Sequence, residues 1–336
     1  VVGDNNTGVY SSTGQTVTNN GNNLVGILID VESWNDNNGP AHKTINTGTI
    51  KITAGDTTND PTGGNSIGID YGEYSNQTFK SELTVGNIIV AGSKNYGLRM
   101  ANIFTGNNTY FDKGTTIKSG GAGKKILVQG KKNVGVSIAK FLSSAANTNP
   151  IANISDLNVT LAGEESIGFL RNKDYSSNNT NDMVFDSTTM GVFELGKGAK
   201  NSTLIRTDKY GVQVRKDITS TGKDDHGNDN TGSGNTILHA NGETQHIHNY
   251  NKITVGKGFT QTTGMAATGI ATTAKVNILN EGTIEIQGKK GIGMYVDEYT
   301  KGKSSGTIKM SGTGDIDAKG NVGSAENVGI SNAGDF

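Results

Sequence analysis

Along this chain, apolar residues alternate with polar ones in short bursts that end at glycines. The stretch IEIQGKKGIGMYV, residues 284 to 296, shows the pattern in full. Ile284 and Ile286 alternate with polar residues, Gly288 and Gly293 bracket a basic turn, and Met294 and Val296 alternate again around Tyr295. Period two on both sides of a glycine-marked bend predicts two half-buried strands.

The same template returns along the chain. It can be written as apolar, any, apolar, any, Gly, four residues, Gly, apolar, any, apolar. Copies start at Ile88 and at Ile126, and a partial copy from Val159 puts Arg171 where the last apolar residue belongs. The second half recurs alone around Gly26, Gly68, Gly211 and Gly329, and the first half alone at 46–52, 280–286 and 305–310. The steps from Gly26 to Gly68, Gly97, Gly135 and Gly168 are 42, 29, 38 and 33 residues. Self-similarity at such a period marks a solenoid, propeller or array.

No amphipathic helix pattern separates the strands, which removes helix-containing repeats. Propeller blades carry signature dipeptides that this chain lacks, and one Trp with 3 Pro gives little support to a string of sandwiches. The predicted fold is all-β: a right-handed parallel β-helix, or β-solenoid, with loop insertions, forming one segment over residues 1–336. Inward Ile, Val and Leu pile into columns and make a thin core, so a hydrophobic fraction of only 32% is what the fold requires. Gly26, Gly97, Gly135 and Gly293 are expected at corners or close backbone contacts, and the Asn of NTGT and NEGT at turns, where its amide can ladder. With coils of about 20 residues the chain would make roughly 15 coils and a rod on the order of 70–80 Å.

Composition leaves disorder open until three features close it: a net charge of −1, only 3 Pro, and ordered β-branched alternation. With 30 basic and 31 acidic residues dispersed along the chain, no electrostatic footprint for nucleic acid or an anionic membrane exists. The absence of Cys excludes disulfides, thiolate metal sites and Cys nucleophiles. No apolar run reaches membrane-spanning length, and VVGDNNTGVY lacks signal-peptide regions, so the chain reads as a soluble piece of a longer precursor.

Solenoid insertions loop out on one side, which is often the binding side. Four are expected, at 31–44, 102–114, 139–152 (with a helical turn) and, the largest, 216–252. The last holds four of the five histidines, and His239, His246 and His248 with Asp224, Asp225, His226 and Asp229 are the types that bind divalent metals. HxH on a strand supplies only two rings on one face, so a solvated loop is the expectation and no metal is assigned. Glu164–Glu165 and Asp297–Glu298 are adjacent, so within a strand their side chains point to opposite faces and read as turn or rim charges. GxSxG, the phosphate-loop order, the calcium nonapeptide, the EF-hand loop and RGD are all missing; no catalytic residue and no cofactor is assigned. Loop aromatics offer large contact area at low entropic cost, and Trp34, Tyr74, Phe104 and Tyr110 are the expected ligand contacts.

Units built as N-x-G-T-I-x-[IM], then a short turn and [VI]-G-[IVM], run through Asn46 to Ile52, Asn280 to Val296 and Gly306 to Ile330, with weaker matches from 84 to 170. They resemble the passenger regions of large monomeric autotransporter adhesins of Gram-negative bacteria, particularly the fusobacterial outer-membrane type. The resemblance implies a β-helical stalk on the bacterial surface, exported through a C-terminal outer-membrane barrel absent from this chain. It implies partners among host cell-surface proteins, host glycans or other bacteria, with no catalysis and no membrane insertion by this segment. The competing expectation is a β-helical polysaccharide hydrolase or lyase, which requires clustered carboxylates and a groove.

Overall fold

In a computed structural model of the chain, the structure describes residues 16–33, 43–56, 63–75, 81–100, 116–121, 123–138, 157–172, 182–186, 191–209, 211–222, 228–242, 246–269, 276–312 and 323–336. Among them every strand pairing is parallel and no helix occurs. The backbone climbs as a parallel β-helix whose coils have three faces. The first face is one unbroken sheet of ten strands, running from Val25–Ser33 and Ile67–Ser75 through Ile167–Arg171 and Thr236–Asn241 to Ile292–Val296 and Val328–Asn332. The second face joins a six-stranded sheet, Thr16–Asn19 to Phe193–Leu195, to a four-stranded one, Ile218–Ser220 to Thr307–Met310. The third face holds a three-stranded and a five-stranded sheet, the latter from Met183–Phe185 to Gly302–Ser304.

Within a coil the chain visits the third face, the second and then the first, so the two halves of IEIQGKKGIGMYV lie on different faces around a corner. Period-two alternation makes the core. Ile69, Leu98, Val136, Phe169, Ile205, Leu238, Met265 and Met294 form one buried inward column of the first face, and Ile50, Ile88, Ile126, Val159 and Phe193 form one of the second. Each such side chain contributes roughly 1.5–3 kcal/mol of burial. Phe169, Phe185 and Phe193 thicken the middle of the column, with ring centroids 4.9, 5.7 and 6.1 Å apart. Arg171, in the position the repeat reserves for an apolar residue, does point inward, stacked between Ile138 and Thr207.

Three expectations change. Among the described residues ten strands on the first face make ten coils where 15 were expected, and at ~4.8 Å per step about 43 Å separates the first from the last. The shortest step, Ile278 to Gly302, already spans 24 residues, because each coil carries three strands and three corners. Residues 216–252 are not an insertion: they supply Ile218–Ser220, Gly232–Ser233, Thr236–Asn241 and Ile247–Asn249. Their polar composition hides buried inward residues at Ile218, Ile237, Leu238, Ala240 and Ile247. The glycine argument holds in one half only. Gly97, Gly135 and Gly293 have no positive φ; a Cβ there would stand 2.6, 2.6 and 2.5 Å from the carbonyl oxygen of the next coil. The left-handed corner falls elsewhere, on Asn23, Asn65, Lys94, Lys132, Glu165, Asn201, Gln261, Lys290 and Glu326, with Gly234 at the equivalent place.

In seven successive coils the residue after the left-handed position is a buried polar one, Ser66, Asn95, Asn133, Ser166, Ser202, Asn235 and Thr262, and most of these build a ladder. Asn133 accepts from Asn95 N (2.8 Å) and donates to Gly92 O (3.1 Å) and Gln129 O (2.6 Å). Asn95 accepts from Ser66 N (3.0 Å), and Ser166, Ser202 and Asn235 continue the ladder upward. A second ladder links Asn249 to Asn280 (2.8 Å) and Asn280 to Ser304 (3.2 Å) on the third face. The Asn of NEGT therefore does ladder its amide, from a strand end and without a left-handed backbone.

Candidate functional site

Trp34, Phe104 and Tyr110 lie outside the described residues, as do the expected insertions 102–114 and 139–152, most of 31–44, and Asp224, Asp225 and His226. Tyr74 sits on the strand Ile67–Ser75, in register with Glu32. The histidines do not assemble as one group. His239 lies on the first face, His246 precedes a third-face strand, and His248 lies within it. Among the described residues no group of three or more His, Asp or Glu is placed to hold a metal ion.

The densest chemistry sits on the third face in coils six to eight. Asp182, Gly211 and His246 precede three successive strands in the same register. Gly211 has no side chain, so Asp182 reaches past it to His246, Oδ2 to Nε2, across 2.9 Å. A Cβ on Gly211 would collide with the Asp182 carboxylate at 1.8 Å. Since a carboxylate only accepts, His246 Nε2 carries the proton. Gln213 donates to the same Asp182 oxygen (2.9 Å), and the buried Arg171 donates to Gly211 O. Burial raises the Asp182 pKa, but hydrogen bonds from His246 and Gln213, with the charges of His246 and Arg171, leave it below the usual value.

One residue beyond this row the surface turns aromatic. His248 stacks on Tyr250 with centroids 3.6 Å apart, Arg215 covers Tyr250 at 4.7 Å, and Arg215 donates to Gln213 (2.8 Å). His248 Nε2 approaches Glu281 at 3.2 Å, and burial lowers the His248 pKa against that attraction. The result is a closed polar network from Arg215 through Gln213 and Asp182 to His246, which braces adjacent coils.

A second network lies on the first face. Arg206 pairs with Asp208 (2.7 Å), which also accepts from Asn241 (3.0 Å), and His239 Nε2 contacts Thr268 Oγ1 at 2.8 Å. Burial, reinforced by the Arg206 charge, pushes the His239 pKa down to about 4. This imidazole is neutral at ordinary pH. The adjacent carboxylates Glu164 and Glu165 form a corner cluster with Lys131, Lys132 and Lys200, at 3.2–3.8 Å. Asp297 accepts from Gly269 N (2.7 Å) and Tyr299 N (3.2 Å) and so fixes a turn. Each carboxylate in these groups is thus engaged by a cation or by backbone N–H groups. The chain matches no family model, no curated protein and no solved structure.

Proposed function

We propose that this chain is a segment of a bacterial cell-surface adhesin: a β-helical stalk that mediates attachment to host cells or other bacteria through loops and side faces, without catalysis. Its partners are host surface proteins or glycans or the surfaces of other bacteria, and its place is the outer surface of a Gram-negative cell, reached through a translocator barrel. One observation carries the reading. The first-face ladder keeps its register over all ten strands, although 27 to 42 residues separate one strand from the next. A scaffold whose coils stack identically while their connections differ in length is suited to holding varied surface segments along a line. The repeat units resembling adhesin passengers and the near-zero net charge agree with it.

The test is retention of the purified chain on host epithelial cells and on other bacteria. Binding above that of an unrelated solenoid is expected, with loss when Trp34 and Tyr110 are both replaced by Ala. No retention on any surface would refute adhesion by this segment, and undiminished binding by the double variant would reject those aromatics. Release of reducing sugar from plant or animal polysaccharides would favour the hydrolase reading instead.

A further inference from the structure

Charge that balances over the whole chain does not balance around coil four. Residues 116–138 carry five lysines, Lys118, Lys124, Lys125, Lys131 and Lys132, and no Asp or Glu. Lys131 and Lys132 are engaged in the corner cluster with Glu164 and Glu165. Lys124 and Lys125 are exposed, and among the described residues neither meets a carboxylate. The same holds for Lys51, which is exposed on the same face two coils below, at ~4.8 Å per coil. The nearest described carboxylate on this face is Glu194, two coils beyond, and it accepts from Thr160 Oγ1 (3.0 Å).

The backbone under these lysines is fixed, and its outer side is open. Lys125 N donates to Asn87 Oδ1 of the preceding coil (3.2 Å), and Lys124 O accepts from Asn158 Nδ2 of the following one (3.0 Å). Ser119 Oγ lies 3.0 Å from Gly121 O and 3.1 Å from Lys124 O and closes the turn from within. Outside, a Cβ on Gly121 or Gly123 would meet nothing within 4 Å, and both glycines are exposed. Their N–H groups meet no acceptor among the described residues. Ammonium groups and free N–H donors side by side suit an anion with several acceptor oxygens. The outward residues of this face in coils two to five, from Thr49 to Ala162, include no aromatic ring on which bases could stack. Their only large apolar members, Ile89 and Leu127, are half-buried, which leaves little to enter a bilayer.

We propose that the second face around coil four binds a sulfated glycan chain, with Lys124, Lys125 and the N–H groups of Gly121 and Gly123 on one sulfate ester and Lys51 on a second. The inference names a partner class for the adhesion reading and rests on it for its setting, but it is tested without cells. Calorimetric titration of the intact chain with a heparin hexasaccharide is expected to show binding that weakens steadily as salt rises. The hexasaccharide stripped of its sulfates, and inorganic sulfate alone, should each bind roughly tenfold more weakly or worse. Lys124→Glu combined with Lys125→Glu should weaken hexasaccharide binding roughly tenfold or more, and Lys51→Glu alone by a few-fold. Lys289→Glu combined with Lys290→Glu changes the net charge equally, far from this turn, and should keep affinity within a few-fold. The melting temperature should be unchanged by the substitutions at 51, 124 and 125, since all three side chains are exposed. No binding of the hexasaccharide, equal binding of its desulfated form, undiminished binding by either test variant, or equal loss in the two double variants overturns the proposal. Tighter binding of single-stranded DNA or of phosphatidylserine vesicles overturns it as well. Cell retention without hexasaccharide binding sinks this inference alone; hexasaccharide binding without cell retention sinks the adhesion reading alone.

Discussion

A single left-handed residue at one corner sets the geometry of each coil. Nine non-glycine residues take a left-handed backbone there, a conformation that disfavours L side chains by roughly 1–2 kcal/mol. Lys132→Gly should therefore stabilise the fold by up to about 1 kcal/mol, and Lys132→Val should destabilise it by at least as much, both read from urea midpoints. The strain is tolerated because the next residue is locked: Asn133 makes three buried hydrogen bonds. Asn133→Ala would strand Asn95 N and take one hydrogen bond each from Gln129 O and from Gly92 O, which keeps Lys131 N, and should lose about 2 kcal/mol or more in the same assay. The alternating Ile and Val of this corner's strands were plain in the sequence, as was Gly135. The ladder was not, because Asn, Ser and Thr alternate at its position and any one of them reads as an ordinary turn residue. The left-handed sites were invisible for the same reason, being Lys, Glu, Gln or Asn in place of glycine.

His239 links residue chemistry to pH. Its folded pKa, near 4, lies below its ordinary 6.5, so its contribution is fully present above pH 6.5 and is lost as pH falls toward 4. That loss approaches about 3 kcal/mol. Urea unfolding between pH 7 and 4 should show it, and His239→Gln should flatten the curve over that window. A slope unchanged by the substitution would place the acid sensitivity elsewhere.

At the scale of strands and coils, the third-face network works as a brace between neighbours. Gly211→Ala drives a methyl into the Asp182 carboxylate and should break its contact with His246, so that the damage exceeds that of His246→Ala alone. Amide exchange would report it as faster opening of Val212–Val214 and Ile247–Asn249, with the first coils unaffected, as nearest-neighbour stacking requires. The segment from 216 to 252 shows where sequence patterns mislead. Three-residue strands such as ITS and IHN offer only one or two inward positions, too few for period two to stand out against polar neighbours. Gly211 was visible as a repeat glycine, but its role in joining Asp182 to His246 depends on two residues 64 positions apart that only stacking brings together.

For the whole molecule, the parallel architecture was legible because every coil repeats it, whereas the number of coils was not, because loop length and coil length are indistinguishable in a linear sequence. Among the described residues no strand is stacked beyond Val328–Asn332. Ile330 occupies the inward column of Met294 and Met265 yet is 42% exposed, and Ile308 and Met310 are only partly covered. Ile330→Ser should accordingly lower the melting temperature far less than Leu98→Ser at the equivalent buried position, a difference calorimetry can measure.

The central claim is that each repeat advances the chain by one coil along a single axis, whatever its length. The chain has no cysteine, so introduced pairs can be spin-labelled without interference. Lys94, Asn201, Lys290 and Glu326 occupy the same corner of coils three, six, nine and ten. Electron–electron distances from Lys94→Cys to cysteines at the other three should centre near 14, 29 and 34 Å, rising by ~4.8 Å per coil. Distances that fail to increase with coil number would contradict the stacked solenoid and the display function built on it.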